Sequence, residues 1–297
     1  MKNLPVLRAF IRLSRVKFLT GGLLGFALGA AIARYDGAYI DWQVYVVGQV
    51  MVTSFHLMVH YANDYYDRFC DESAERTAWS GGSGALLEGG LSPRIALNAA
   101  FACAGVGIFA IVVFAISAAY VPAIVGVVIA ILAWSYSAPP MRLLARGLGE
   151  LDTAVIIALL FPLAGYVTFA HMPALRLFAS TLPSIAAMFV LMFCVEYPDI
   201  DSDRATGKMN LVARLGREHA RYLIYGAVAA IYVGTFLAIG LGGVAMLAPF
   251  MTLTIPIAWF VCTRVGTANV ADVAASGVAL FVATILGSTL AYVALIL

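Results

Sequence analysis

Long apolar runs separated by short polar stretches make up most of this chain. At least eight runs reach the roughly 20 residues that a helix needs to cross the hydrocarbon core of a bilayer, and nine are counted. They fall near 17–34, 43–62, 95–116, 118–136, 151–170, 180–198, 220–240, 243–262 and 272–296. The runs are too long and too uniformly apolar for barrel strands, and in lipid a backbone has to satisfy its own hydrogen bonds. The pattern therefore predicts an all-α integral membrane protein of about nine transmembrane helices around a central cavity. A basic stretch, Met1 to Lys17, precedes the first run, and no small-residue cleavage site follows it convincingly. A retained first helix is expected rather than a cleaved signal peptide.

Composition agrees and excludes the soluble class. Of 297 residues, 63% are hydrophobic and 11% charged, with mean hydropathy +0.94. Soluble domains carry about a quarter charged residues. The net charge of +2 gives no reason to expect a nucleic-acid partner. Cys70, Cys103, Cys194 and Cys262 are scattered without metal or redox spacing, so they read as packing residues.

Charge changes the picture more. With nine helices, alternate loops fall on opposite sides, and 16 of the 18 Lys and Arg then collect with the N-terminus, leaving Arg34 and Arg176 opposite. The positive-inside rule places that richer side, and the N-terminus, in the cytoplasm. The rule makes no demand on acids, yet Asp64, Asp67, Asp71, Glu72, Glu75, Glu88, Asp199, Asp201 and Asp203 all lie there too. The chemistry is expected at the cytoplasmic face, under a cap formed by the loops after helices 2, 4 and 6.

Two acidic motifs carry that chemistry. In Asn63-Asp64-Tyr65-Tyr66-Asp67-Arg68-Phe69-Cys70-Asp71, at the end of the second run, Asn63, Asp67 and Asp71 are four apart. In a helix this spacing stacks them on one face, where like charges need a cation to become favourable. Asp199-Ile200-Asp201-Ser202-Asp203-Arg204, at the end of the sixth run, repeats the spacing at Asp199 and Asp203. Aligning Asn63 with Asp199 superposes Asp67 on Asp203 and Arg68 on Arg204, which hints at two similar halves, roughly 1–136 and 137–297, of one domain. Oxygen ligands without cysteine favour a hard cation, and Mg²⁺ typically binds through a few carboxylates plus phosphates. Two such clusters suit ions around a diphosphate, with Arg68, Arg204, Lys208 and Arg214 as donors to its other oxygens. The bland alternative is a solvated acidic cap. His56, His60 and Asp64 also share a face, as a two-histidine, one-carboxylate site would, but packing or supporting roles explain the histidines better.

These motifs resemble the UbiA superfamily of intramembrane aromatic prenyltransferases. That family has N-D-x-x-D-x-x-x-D after the second helix and D-x-x-x-D after the sixth, matched here by Asn63, Asp64, Asp67 and Asp71, then Asp199 and Asp203. Tyr136-Ser137-Ala138-Pro139-Pro140 and Gly147-Leu148-Gly149-Glu150-Leu151 also look like the family's loops. The stretch from Asp203 to Lys208, leading to Val212-Ala213-Arg214-Leu215-Gly216, looks most like the quinone-pathway branch that prenylates dihydroxynaphthoate. One departure stands out. Members that prenylate hydroxybenzoate or make haem O carry R-T-x-x-R-P, whereas Arg76-Thr77 here continues as Ala78-Trp79-Ser80-Gly81-Gly82-Ser83-Gly84. The Gly81–Gly84 run suits either a lid over the diphosphate or a plain flexible loop.

The resemblance implies an isoprenoid diphosphate donor in the bilayer and an aromatic acceptor. It implies Mg²⁺ held by Asp64, Asp67, Asp71, Asp199 and Asp203, with Asp201 grouped beside them. Asn63 orients the first cluster, and Arg68, Tyr136, Lys208 and Arg142 or Arg146 donate to phosphate; Ser137 and Tyr197 join the substrate contacts. Tyr65, Tyr66, Phe69, Trp134, Phe193 and Tyr197 are the aromatics expected around an allylic cation, or simply packed in the bundle. Arg15 and Lys17 suit an acceptor carboxylate, or ordinary anchoring of the first helix. Two rivals remain: a membrane terpene cyclase, which shares the diphosphate half, and a secondary transporter, which would place its charges nearer the bilayer midplane.

Overall fold

The computed structural model describes residues 3–68, 79, 82–87, 90–266 and 270–297, and among them it contains helices and no strand. In chain order the helices are α1 (Asn3–Leu13), α2 (Leu19–Tyr35), α3 (Trp42–Tyr66), α4 (Pro93–Ile116), α5 (Tyr120–Ser135), α6 (Gly149–Thr153), α7 (Phe161–Ala170), α8 (Leu175–Glu196), α9 (Ile200–Thr206), α10 (Leu211–Gly240), α11 (Leu247–Thr252), α12 (Ile255–Arg264) and α13 (Val270–Val293). A π-helical stretch, Ala154–Leu160, joins α6 to α7. Their ends follow local chemistry. The Asp41 carboxylate accepts from the amides of Gln43 and Val44 to start α3 (2.8 and 3.2 Å), and Pro93 opens α4 where its missing N–H costs nothing.

Seven stretches among the described residues are long and apolar enough to cross a membrane: Val6–Tyr35, Pro93–Ile116, Gly149–Ala170, Leu175–Glu196, Leu211–Gly240, Leu247–Arg264 and Ala271–Val293. The sequence pattern predicts nine. The other two are α5, apolar but only 16 residues long, and α3, which has 25 residues but is diluted by Gln43, Gln49, His56 and His60. α10 begins well before the predicted residue 220 because Asn210 caps it, its Oδ1 accepting from the Ala213 amide at 2.7 Å. A break at Gly216 (φ 77°, ψ 167°) then lets the charged first turns diverge from the apolar shaft. Large side chains point outward along the shafts: Phe109 is 70%, Trp259 72% and Phe236 82% exposed. In water such a surface would aggregate; in acyl chains it is the solvated face.

Close backbone approach holds two cavity walls together. Gly21, Gly25 and Gly29 recur every fourth residue on α2 and face Ile157, Phe161 and Pro162. Gly165 on α7 returns the contact against the Phe26 carbonyl. Small residues at this spacing let membrane helices touch backbone to backbone. α8 packs along α10 and α13, α13 along α2, and α3 along α4 and α5, so the walls close into a bundle. Asp36, Arg176 and Tyr166 close one end: Arg176 pairs with Asp36, and the Tyr166 hydroxyl donates to Asp36 at 2.8 Å.

Candidate active site

At the opposite end α3 finishes in the first acidic motif. Asn63 Nδ2 donates to Asp67 Oδ2 at 2.7 Å and to Ser137 Oγ at 3.1 Å. This confirms the four-residue stacking of Asn63 on Asp67 and draws in the loop after α5. Asp64, one position round the helix, is buried and accepts from the Arg15 guanidinium and the Ser83 hydroxyl. Arg15 also reaches Asn63 Oδ1 at 3.2 Å. Arg15 and Arg142 are two of four non-glycine residues with positive φ among the described residues, a strained conformation that tends to occur at functional sites. Asp71 and Phe69 lie outside the described residues.

The second motif is built around α9. Asp203 is buried, accepts from Asn210 Nδ2 at 2.7 Å and lies 3.5 Å from the Lys208 ammonium. Asn210 thus both caps α10 and orients Asp203. Asp199 stands half-buried ahead of α9, its carbonyl accepting from the Asp203 amide and the Ser202 hydroxyl. Asp201 is different. Its carboxylate is 78% exposed and ion-paired with Arg217 at 3.0 Å, so the structure turns it away from the cluster. A helix carries Asp201 and Asp203 on different faces.

The two motifs meet. Burial pushes the Asp67 and Asp203 carboxyls above their ordinary pKa, and the nearby Lys208 ammonium pulls both back. Each carboxylate lies within electrostatic reach of Lys208, and Asp67 is felt at Asp203. Arg142 and Arg15 also favour ionised Asp67. Tyr136 stands in the same field, hydrogen-bonded to Thr153 and close enough to feel Glu196, Lys208 and Asp67; burial raises its phenol pKa.

From this end a cavity runs into the bundle, with about 1010 Å³ of space counted out to its open mouth. Arg15, Lys17, Asn63 and Tyr136 are among its polar lining; deeper walls come from Ile156, Ile157, Met188, Met192 and Val278. Its aromatics are Phe18, Phe55, Trp79, Tyr136, Phe161 and Phe281. None of the aromatics predicted from sequence that fall among the described residues lines it. Tyr66 and Trp134 pack on each other, Phe193 on Phe189, and Tyr197 under Arg217. Most of them neighbour the aspartates in sequence and Trp134 neighbours the Tyr136 loop, whereas the lining follows the inward helix faces. The four-residue recurrence of Phe55, Val59 and Asn63 on α3 was the available signal.

Several predicted donors are engaged elsewhere. Arg204 and Arg214 donate to backbone carbonyls of Ala213, Met209 and Arg146. Arg146 donates to the Pro140 carbonyl at 2.9 Å. Arg68 lies over the Tyr65 ring, beside Asp64 in a small separate recess. Lys17 lines the main cavity with its ammonium 4.1 Å from the Trp79 ring centroid. His60 Nδ1 meets the Ser14 carbonyl at 3.0 Å, while Asp64 is engaged by Arg15, so the two-histidine metal site is not assembled. Of the Gly81–Gly84 run, Gly81 lies outside the described residues; Ser83 ties the rest to Asp64. Sequence reasoning missed Asn210, the cavity residues Phe18, Phe55, Asp152, Phe161 and Phe281, and the hydroxyl role of Ser83.

Among the described residues no three acidic, histidine or cysteine side chains converge as a ready-made metal site. The donor set still fits a hard cation. It is all oxygen, split between two helix ends, and leaves buried carboxylates in mutual repulsion that a bridging cation and phosphate oxygens would relieve. A helical membrane bundle with two acidic motifs beside an apolar cavity has the form of a membrane protein that handles a ligand with an anionic head and an apolar tail.

The comparisons narrow that class. The UbiA prenyltransferase family model matches residues 23–285, and the chain belongs to that family. It is an enzyme of the prenyl-transferring class. A Bacillus subtilis (strain 168) relative, 1,4-dihydroxy-2-naphthoate octaprenyltransferase, is 21% identical over 222 residues, 75% of this chain and 70% of that one. The 2-carboxy-1,4-naphthoquinone phytyltransferase of Synechocystis sp. (strain ATCC 27184 / PCC 6803 / Kazusa) is 27% identical over 132 residues, 44% of this chain and 41% of that one. A solved structure of a UbiA homologue from Archaeoglobus fulgidus bound to GPP and Mg²⁺ shares the fold with TM-score 0.66 at 17% identity, over 95% of this chain and 99% of that one.

Proposed function

We propose that this protein transfers a prenyl group from an isoprenoid diphosphate to an aromatic quinone precursor, of the dihydroxynaphthoate type, at the cytoplasmic face of a bilayer crossed nine times. The observation that carries the reading is that Lys208, 3.5 Å from Asp203, is also within electrostatic reach of Asp67, whose partner Asn63 lines the apolar cavity. Each half of the chain contributes one of these aspartates. The naphthoate relatives support the acceptor class, and the GPP and Mg²⁺ in the fold neighbour support the donor.

Asp64, Asp67, Asp71, Asp199 and Asp203 would hold Mg²⁺, which when bound neutralises charge on the departing diphosphate. Lys208, Arg142 and Tyr136 hold the phosphate oxygens, and Asn63 with Ser137 fixes Asp67. The allylic C–O bond breaks with its electron pair leaving on the diphosphate. Phe18, Phe55, Phe161 and Phe281 offer ring faces to the cation and exclude water from it. An electron-rich ring carbon of the acceptor forms the new C–C bond, and the ring proton is lost to solvent.

The test is diphosphate release by the detergent-purified protein given geranylgeranyl diphosphate and Mg²⁺, with and without dihydroxynaphthoate, followed by mass spectrometry. Naphthoate-dependent release with a prenylated product is expected. Acceptor-independent release yielding a cyclic hydrocarbon would replace the transferase by a cyclase, and no release from folded protein across several prenyl donors and acceptors would return the transporter reading.

A further inference from the structure

Asp152 is the one carboxylate that lines the cavity among the described residues. It is 5% exposed, and neither of its carboxylate oxygens has a hydrogen-bond partner among the described residues. A buried carboxylate left this way is costly, and proteins retain one mainly where a ligand completes it. The cations at the mouth do not do so: Arg15 is bound to Asp64 and Asn63, and Lys17 stands over Trp79. Much of the cavity wall it shares is apolar, with Ile156 and Ile157 on the same span and Met188 and Phe281 from other helices. A few placed polar groups among apolar walls are how a small-molecule pocket fixes orientation.

Its place along the cavity says which ligand. The next residue, Thr153, is hydrogen-bonded to Tyr136, which in turn lies in the field of Asp67 and Lys208. Asp152 therefore lines the cavity at the level of Tyr136 and Thr153, at the same end as the two acidic motifs, beside the space where a bound donor head and an acceptor ring would meet. A carboxylate repels the carboxylate of an acceptor and accepts from a hydroxyl. We propose that Asp152 selects and orients the acceptor by accepting a hydrogen bond from a free phenolic hydroxyl, an inference that rests on the prenyl-transfer reading above. With that hydroxyl drawn toward Asp152, the ring presents its activated carbon to the donor. Its electron density rises where the new bond forms.

Sites built around a substrate hydroxyl reject analogues that lack it far more strongly than apolar pockets reject an extra group, so about 100-fold discrimination or more is expected. The experiment compares wild type, Asp152→Leu and Asp152→Asn, full length in detergent, on 1,4-dihydroxy-2-naphthoate and its two mono-O-methyl ethers. Product is followed by mass spectrometry, and geranylgeranyl diphosphate binding with Mg²⁺ is measured separately. The wild type should prefer the free hydroxyl over one of the ethers by about 100-fold in kcat/KM, and Asp152→Leu should reduce that preference to a few-fold. Asp152→Asn, which keeps the shape and a weaker acceptor, should fall between them. Donor affinity should not change, which separates acceptor selection from a collapsed cavity. Equal preference in wild type and both variants overturns the inference and leaves the proposed function standing. No prenylated product from the wild type with any of the three acceptors overturns both.

Discussion

Replacing Gly29 by alanine tests whether the backbone contact between α2 and α7 sets the width of the cavity. A Cβ there would lie 1.8 Å from the Pro162 carbonyl oxygen and 2.7 Å from both the Pro162 carbonyl carbon and the Tyr166 amide nitrogen. All three are backbone atoms, so no side-chain rotation gives relief. Reaching ordinary contact near 3.3 Å requires the helices to part by about 1.5 Å. The reciprocal approach of Gly165 to the Phe26 carbonyl, and those of Gly21 and Gly25 to Ile157 and Phe161, would open as well. Overpacking in a well-filled core costs about 1–3 kcal/mol, and with backbone as the obstacle the upper end applies, equivalent to a fall of roughly 5–10 °C in Tm. The control is Gly105→Ala on α4, where a Cβ meets nothing within 4 Å; its Tm should stay within about 3 °C of wild type. The assay is intrinsic-fluorescence melting of both variants and wild type in one detergent at one scan rate. Prenyl transfer should also fall in Gly29→Ala, because α2 and the stretch from α6 to α7 carry Thr20, Gly21, Thr153 and Ile157 of the cavity wall. If Gly29→Ala melts with the control and keeps wild-type turnover, the close approach does not shape the site.

Asp67→Asn and Asp203→Asn should each cut diphosphate release by about 100-fold or more while leaving the melting temperature in metal-free buffer no lower; near-normal turnover in both would end the metal–diphosphate mechanism. The stability part follows from sign. Both carboxyls are held above the ordinary value of 3.8 by burial, so their contribution to folding is fully present below that pH and is lost as pH rises through the raised values. In metal-free melts across pH, wild type should therefore lose stability relative to Asp203→Asn as the buffer moves from acid toward neutral, and parallel curves would contradict the burial argument. Chelation by EDTA should abolish diphosphate release and added Mg²⁺ restore it, while release that survives chelation would remove the cation from the mechanism.

Much of this was legible in the order of residues because it depends on local rules. Apolar runs of membrane length had to become helices once lipid denied them other hydrogen-bond partners. A four-residue spacing places Asn63 beside Asp67 in any α-helix, and the 2.7 Å contact between them is what that spacing requires. The same geometry separates Asp201 from Asp203, although chemical type alone grouped them as ligands. Chemical type also misled for the aromatics. Tyr65 and Tyr66 are close to the first motif in sequence and Trp134 to the Tyr136 loop, but helix rotation turns them to other contacts.

What the sequence determined by itself is the membrane class, the family and the two carboxylate motifs, since each rests on composition or on spacing within one helix. Which groups share the cavity was decided only by tertiary structure. Lys208 pairs with Asp203 and reaches Asp67 electrostatically, Arg15 and Ser83 close on Asp64, and the glycine face of α2 sets its distance from the wall that carries Asp152. These meetings join residues far apart along the chain, and they depend on the rotation and separation of whole helices. Such quantities are set by packing summed over entire interfaces, and no short stretch of sequence encodes them.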